Sequence, residues 1–192
     1  MIKTVLGFDI SSSCIGYCVL TIDDFTGAII FKSADYIKPN KKGSIIERIV
    51  DTRNKISDVI NLVKPDYIGI EEIIQFMQGK STAKTIIMLT TFNRMVGLTS
   101  YDYLGRSPEL FNVMSIRHGL KMNKIFPKKE DMPELVAKHL GIKFPYELSS
   151  KGKTKGKIKV ESYDKADGIA VALYYAFILT GKIKSKIKKV KK

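Results

Sequence analysis

Four carboxylates stand where chemistry could use them: Asp9, Glu71, Asp164 and Asp167. Asp9 interrupts the apolar run Thr4-Val5-Leu6-Gly7-Phe8-Asp9-Ile10, which reads as a buried central strand carrying one acid. A buried charge is costly unless it is paired or bound to a metal, so Asp9 is either a strand-end cap or a member of a site. Glu71 lies near the end of Asp66-Tyr67-Ile68-Gly69-Ile70-Glu71-Glu72, a short apolar strand that closes on acids. Asp164 and Asp167 are spaced i, i+3 and so share one helix face. In a first turn their charge suits the helix dipole, and by themselves they read as ordinary N-terminal capping. Four carboxylates drawn together would repel one another strongly, so such a cluster requires cations. All-oxygen ligation suits Mg²⁺ or Mn²⁺ rather than zinc. Two such ions about 4 Å apart could activate a water and stabilise the leaving 3′ oxygen of a phosphodiester.

The surrounding elements must bring these acids together. Ser11-Ser12-Ser13 allows a tight reversal from the first strand into a second, residues 14–20, in which Gly16 gives room for close backbone approach. Asp23-Asp24-Phe25-Thr26-Gly27 reads as a hairpin into a third strand over 28–36. Ser44 with Glu47 makes a capping box for a helix running to Val63, with Ile45, Ile49, Ile56, Val59, Ile60 and Val63 as its core face. The strand–helix–strand order then sets the Glu71 strand parallel to the first, so that two strand ends bearing acids converge at one sheet edge. Residues 81–98 form a helix whose apolar band is wider than one sheet face needs; it is a deeply buried helix or partly a dimer surface. Residues 101–109 read as a loop, 110–114 as a fifth strand, Ser115 as the start of a short helix, and Asp131 with Glu134 as caps of a helix to Leu140 that Gly141 stops. Residues 149–160 read as a flexible basic loop, and Ser162 as the cap of a last helix from Tyr163 to Thr180.

At 192 residues and 44% hydrophobic, the chain suits one core and one domain over 1–181, with a basic tail over 182–192. No apolar run is long enough to span a bilayer and the N-terminus is no signal peptide, so a cytoplasmic location is expected. Cys14 and Cys18 fall four apart on one strand, a poor zinc pattern, and read as two small buried thiols. The net charge of +14 calls for a polyanion, and with no one-sided basic amphipathic helix that polyanion is nucleic acid rather than membrane.

Taken together and in order, Gly7-Phe8-Asp9 with Ile15-Gly16-Tyr17, then Ile70-Glu71, then Asp164-Lys165-Ala166-Asp167-Gly168-Ile169-Ala170 resemble the RuvC family of Holliday junction resolvases. The resemblance runs from about residue 4 to about residue 180, and the short Lys-rich form looks most like versions carried by bacteriophages. It implies an α/β, RNase H-like fold: a five-stranded mixed sheet flanked by helices. It further implies a homodimer that nicks opposed strands of a four-way DNA junction, with Mg²⁺ or Mn²⁺ held as two ions by Asp9, Glu71, Asp164 and Asp167. Asp9 would bridge both ions. Glu72 competes with Glu71, since the family has one acid there; strand alternation leaves Glu72 on the face of Ile68 and Ile70 and favours Glu71. The family carries a base-stacking aromatic just past this acid, for which Phe76 is the candidate, with a core role as the alternative. Arg117, Lys121 and Lys124 match a region of phosphate contact, and Lys151, Lys153, Lys155 and Lys157 would add salt-dependent affinity. His118 and His139 read as surface residues outside the cluster.

Other readings use the same residues. A less selective branch or flap nuclease, or a ribonuclease H, would share the metal chemistry. An actin-like ATPase needs two lobes, for which 192 residues leave no room. A non-catalytic DNA binder gains nothing from a pocket of acids.

Overall fold

In the computed structural model, which describes residues 1–73, 82–122, 126–150 and 155–183, the chain opens with three antiparallel strands. These are β1 (Ile2–Ile10), β2 (Ile15–Asp23) and β3 (Ile29–Ile37). Helix α1 (Ile45–Val63) follows, then β4 (Tyr67–Glu72), α2 (Ala83–Leu104), β5 (Glu109–Asn112), α3 (Val113–Leu120), α4 (Met132–Leu140) and α5 (Val160–Leu179). The sheet order is β3-β2-β1-β4-β5, with β4 parallel to both β1 and β5. Two layers of helix cover it. On one face, Leu6, Phe8 and Ile10 of β1 and Ile68 and Ile70 of β4 pack against Ile56 and Ile60 of α1 and Phe92 and Val96 of α2. On the other face, Val5 and Cys18 pack against Ile169, Ala170 and Leu173 of α5, which α3 and α4 flank.

The alternation of β1 puts Val5, Gly7 and Asp9 on the α5 side, and at each step what the strand offers sets how closely the helix lies. A Cβ on Gly7 would run into the backbone of Ala172, and one on Gly16, the partner of Asp9 across β1 and β2, into the carbonyl of Asp164. Gly168 completes the contact from the helix side, where a Cβ would stand 2.7 Å from the Gly16 carbonyl carbon. The backbones of β2 and α5 therefore touch beside Asp9. Gly16→Ala is expected to cost several kcal/mol, at or beyond the upper end of the roughly 1–3 kcal/mol typical of overpacking, because rigid backbone and no side-chain end must give. A urea titration reads it; a loss below about 1 kcal/mol would mean that the crossing is looser than described.

Several expected boundaries move. Helix α5 begins at Val160 with Lys159 as its N-cap, so Ser162 is no cap; its side chain is buried and accepts a hydrogen bond from the Glu147 N–H at 3.1 Å. Asp164 and Asp167 consequently lie beyond the first turn, and the helix dipole does not hold them. Helix α2 continues through the expected loop to Leu104, where Gly105 ends it in the left-handed conformation (φ 66°). Strand β5 is shorter than expected, and α3 starts at Val113. Asp131 closes a 3-10 turn over Lys129–Asp131 by accepting from the Lys128 N–H, and gives α4 no side-chain cap. Ile45 is exposed rather than part of the α1 core face. Cys14 precedes β2 instead of lying on it, though both cysteines are buried and free. The capping box of Ser44 and Glu47 is present in both its hydrogen bonds. The basic stretch after residue 148 is no open loop at its ends: Leu148 and Ile158 form an antiparallel bridge.

Candidate active site

The close approach of α5 to the sheet places its carboxylates over the end of β1. One oxygen each from Asp9, Asp164 and Asp167 lies within 4.8 Å of the others. The turn that follows Asp9 is closed by hydrogen bonds of its own. Ser11 Oγ accepts from the Cys14 N–H at 2.9 Å and donates to the Cys14 carbonyl at 2.6 Å. Arg48 reaches over from α1, donating to the Ser12 carbonyl at 3.1 Å and to the Asn40 carbonyl at 2.6 Å.

Glu71 on β4 stands outside this triad and acts on Asp9 through its charge, and the alternation of the strand continues through its end. Gly69 and Glu71 face α5, while Ile68, Ile70 and Glu72 face the other layer. Glu72 there pairs with Arg94 of α2 at 3.1 Å. The Glu71 carbonyl accepts from Asn93 Nδ2 at 2.8 Å, which ties the strand end to the middle of α2.

Electrostatics mark the cluster. Burial raises the Asp9 carboxyl well above the usual range, and the charges of Glu71, Asp167 and Asp164 raise it further against the pull of Lys129. Glu71 is pushed up to about 7 by burial and then by Asp167, with Arg117 and Lys129 opposing. Asp167 is raised by burial, against the lowering influence of Lys129 and Arg117. Burial is the largest cause of each shift, and the mutual repulsion of the acids adds to it.

Lys129 partly answers that charge. Its Nζ stands 3.3 Å from Asp164 Oδ1 and 3.3 Å from Asp167 Oδ2. Burial by itself would lower its pKa, but Asp167, Asp164 and Asp9 outweigh burial and raise it, so it remains charged. Nothing local in the sequence separates Lys129 from its neighbour Lys128; only the fold brings it to the acids. An ammonium bridging two carboxylates beside a third is where a hard divalent cation would be held, and the donor set, all carboxylate oxygens, fits Mg²⁺ or Mn²⁺.

The remaining expected site residues separate into groups. Arg117 on α3 is half-buried and acts on Glu71 and Asp167 electrostatically. Lys121 lies 3.1 Å from the His118 ring nitrogen at the end of that helix. Lys155 and Lys157 are exposed. Phe76, Lys124, Lys151 and Lys153 lie outside the described residues, as do 184–192 of the tail. His139 is not a plain surface residue: it is half-buried, its Nε2 is 2.7 Å from the Leu120 carbonyl, and its ring stacks edge-on with Phe177.

The sequence matches no protein-family model and no curated protein. Solved structures do match it. The RuvC of Thermus thermophilus in complex with a Holliday junction substrate superposes with a TM-score of 0.66 at 16% identity, over 91% of this chain and 94% of that one. The yeast mitochondrial Holliday junction resolvase Ydc2 gives a TM-score of 0.61 at 15% identity, over 93% of this chain and 79% of that one. The fowlpox virus resolvase with its substrate Holliday junction DNA gives 0.50 at 12% identity, over 93% and 99%. The five-stranded mixed sheet flanked by helices is the RNase H-like fold of these resolvases.

Proposed function

We propose that the chain is a metal-dependent endonuclease that resolves four-way DNA junctions, cutting as a homodimer. The observation that carries this reading is the convergence of Asp9, Asp164 and Asp167 within 4.8 Å, with Glu71 beside them, on a chain of net charge +14. A structural ion pair needs no such surplus of acid, and a pure phosphate binder is weakened by it.

Asp9, Glu71, Asp164 and Asp167 would hold the metal, which supplies an activated water and stabilises charge on the leaving 3′ oxygen. The protein side of the chemistry is positioning. Ser11 and Arg48 lock the turn after Asp9, Asn93 holds the backbone at Glu71, and the glycine contacts set α5 at a fixed height. Lys129 balances the carboxylates and lies where an incoming phosphate would meet a cation. Arg117 on α3 acts on Glu71 and Asp167, and with Lys121 just past that helix it would contact the DNA backbone, positioning the substrate without reading its sequence.

Two symmetric cuts need two sites related by a two-fold axis. The outer face of α2 and the edge strand β5 would supply the surface for a second copy. Leu98, Tyr101 and Leu110 are exposed there, around an apolar groove of about 320 Å³ that Asn93 also lines. Asn93 Oδ1 is buried without a hydrogen-bond partner among the described residues, so a donor from the second copy would complete it. Leu98→Glu is expected to convert the dimer to monomer and to replace paired cuts by single nicks. Sedimentation velocity with and without the substitution checks this; a dimer that survives it places the interface elsewhere. Among the described residues no helix is long and apolar enough to cross a membrane.

The functional test is cleavage of an immobile four-way junction. With Mg²⁺ the purified protein is expected to give two nicked linear duplexes, cut at symmetric positions in opposed strands. Binding without cutting would reduce the chain to a DNA-binding protein. Equal cutting of flaps or of RNA–DNA hybrids would favour a less selective nuclease of the same fold.

A further inference from the structure

Lys165 lies between Asp164 and Asp167 in the sequence, yet its ammonium serves neither. Its side chain is 5% exposed, and its Nζ donates to Glu147 Oε1 at 2.6 Å. Glu147 is the centre of a polar node. Its Oε2 accepts from Lys159 Nζ at 3.0 Å and from the Tyr36 hydroxyl at 3.3 Å, and its backbone N–H donates to Ser162 Oγ at 3.1 Å. The two ammonium groups hold its carboxyl down at about 2. One side chain thus joins β3, α5 and both sides of the basic segment that precedes α5.

Among the described residues of that segment, 147–150 and 155–159 pair antiparallel as a stem. The Lys159 N–H donates to the Glu147 carbonyl and the Ser149 N–H to the Lys157 carbonyl, each at 2.8 Å. The cross-strand pair Leu148 and Ile158 remains 57% and 37% exposed, so apolar burial does not hold the stem down. The Glu147 node does. Lys159 is also the N-cap of α5, which puts the stem about 7.5 Å along the helix from Asp164. At the far end Lys155 and Lys157 are exposed and make no ion pair among the described residues.

A cation pair on a stem tied to α5 through Glu147, beside an acid site, is arranged for phosphates that pass that site. We propose that this stem is a second DNA contact, in which Glu147 is the positioning residue that fixes it to α5 so that Lys155 and Lys157 grip the backbone of a duplex arm. The inference rests on the nuclease reading for the identity of the polyanion. It goes further in assigning Glu147 and Lys165, acids and bases outside the metal cluster, to substrate placement.

The test is the salt dependence of binding to a labelled duplex and to a junction, followed by fluorescence anisotropy in EDTA. Each phosphate contact adds about 0.9 to the slope of log K against log salt, so Lys155→Gln with Lys157→Gln is expected to flatten it by about 1.8. Glu147→Gln, which touches no DNA, is expected to flatten it by a similar amount, and the triple variant to be no flatter than either. Mere destabilisation would lower the melting temperature and leave the slope alone. The proposal is overturned by an unchanged slope in the lysine pair, by an unchanged slope in folded Glu147→Gln, or by additive losses in the triple variant. Should Glu147→Gln fail to fold, Glu147→Asp, which keeps the charge but shortens the reach, is read in its place. Failure of the nuclease reading would show separately, as an unmutated chain that cuts no junction with Mg²⁺; the slopes are measured without metal and stand apart from it.

Discussion

Asp9→Asn is expected to slow metal-dependent junction cutting by about 10³-fold or more, equivalent to about 4 kcal/mol of transition-state stabilisation. Asp9 is at the centre of the charge, since Glu71, Asp167, Asp164 and Lys129 all act on its carboxylate. An amide there keeps the shape of the side chain but cannot carry the negative charge that a shared ligand needs. The same substitution removes a buried like charge, so the metal-free protein is expected to melt no lower than the unmutated chain, and higher above neutral pH. The pairing of lost activity with retained or raised stability separates a ligand from a structural acid. A variant that cuts normally, or that loses activity only because it unfolds, would count against the role of Asp9.

The second large effect is on stability against pH in the absence of divalent metal. Glu71 is raised from 4.5 to about 7 in the fold, and Asp9 and Asp167 are raised with it. Raised carboxyls mean that the folded chain binds more protons than the unfolded one, so stability falls as pH rises. The contribution is full below the ordinary carboxylate range and is lost as pH passes through the folded pKa values, across about pH 4.5 to 7 for Glu71. Glu71 by itself would account for about 3 kcal/mol, or a fall of roughly 6–12 °C in melting temperature for a chain of this size. Glu147 works in the opposite sense: its lowered pKa adds stability that is lost only as pH falls towards about 2. Metal-free protein should therefore be most stable in mild acid, and Mg²⁺ should restore most of the loss at pH 8. Calorimetry across pH 5 to 8, with and without Mg²⁺, reads both; a flat metal-free profile would mean that the cluster is already neutralised.

Much of the candidate site's placement was legible in the sequence because the strands announce themselves. Thr4 to Ile10 and Tyr67 to Glu72 have the β-forming composition and alternation that fix which side chains share a face, and the choice of Glu71 over Glu72 followed from that alternation alone. The helix carrying Asp164 and Asp167 was legible in its apolar spacing but not in its start. Val160 and Glu161 look like the end of a basic loop, and what extends the helix over them is tertiary: Ser162 is buried against Glu147, and Lys159 is pinned by the same carboxylate. The end of α2 was misplaced because Tyr101 to Leu104 carry no helix signal stronger than the Gly105 that follows. Lys129 was invisible for a related reason, since a lysine in a charged loop looks the same whether it meets solvent or three carboxylates.

The most direct measurement is anomalous scattering from a crystal soaked in Mn²⁺. A peak is expected within ligand distance of Asp9, Asp164 and Asp167, with Glu71 turned to it, Glu72 still on Arg94, and the Lys129 ammonium displaced from between Asp164 and Asp167. No peak at the cluster with Lys129 in place, or a peak held by Glu72 instead, would contradict the assignment of these carboxylates as a metal centre.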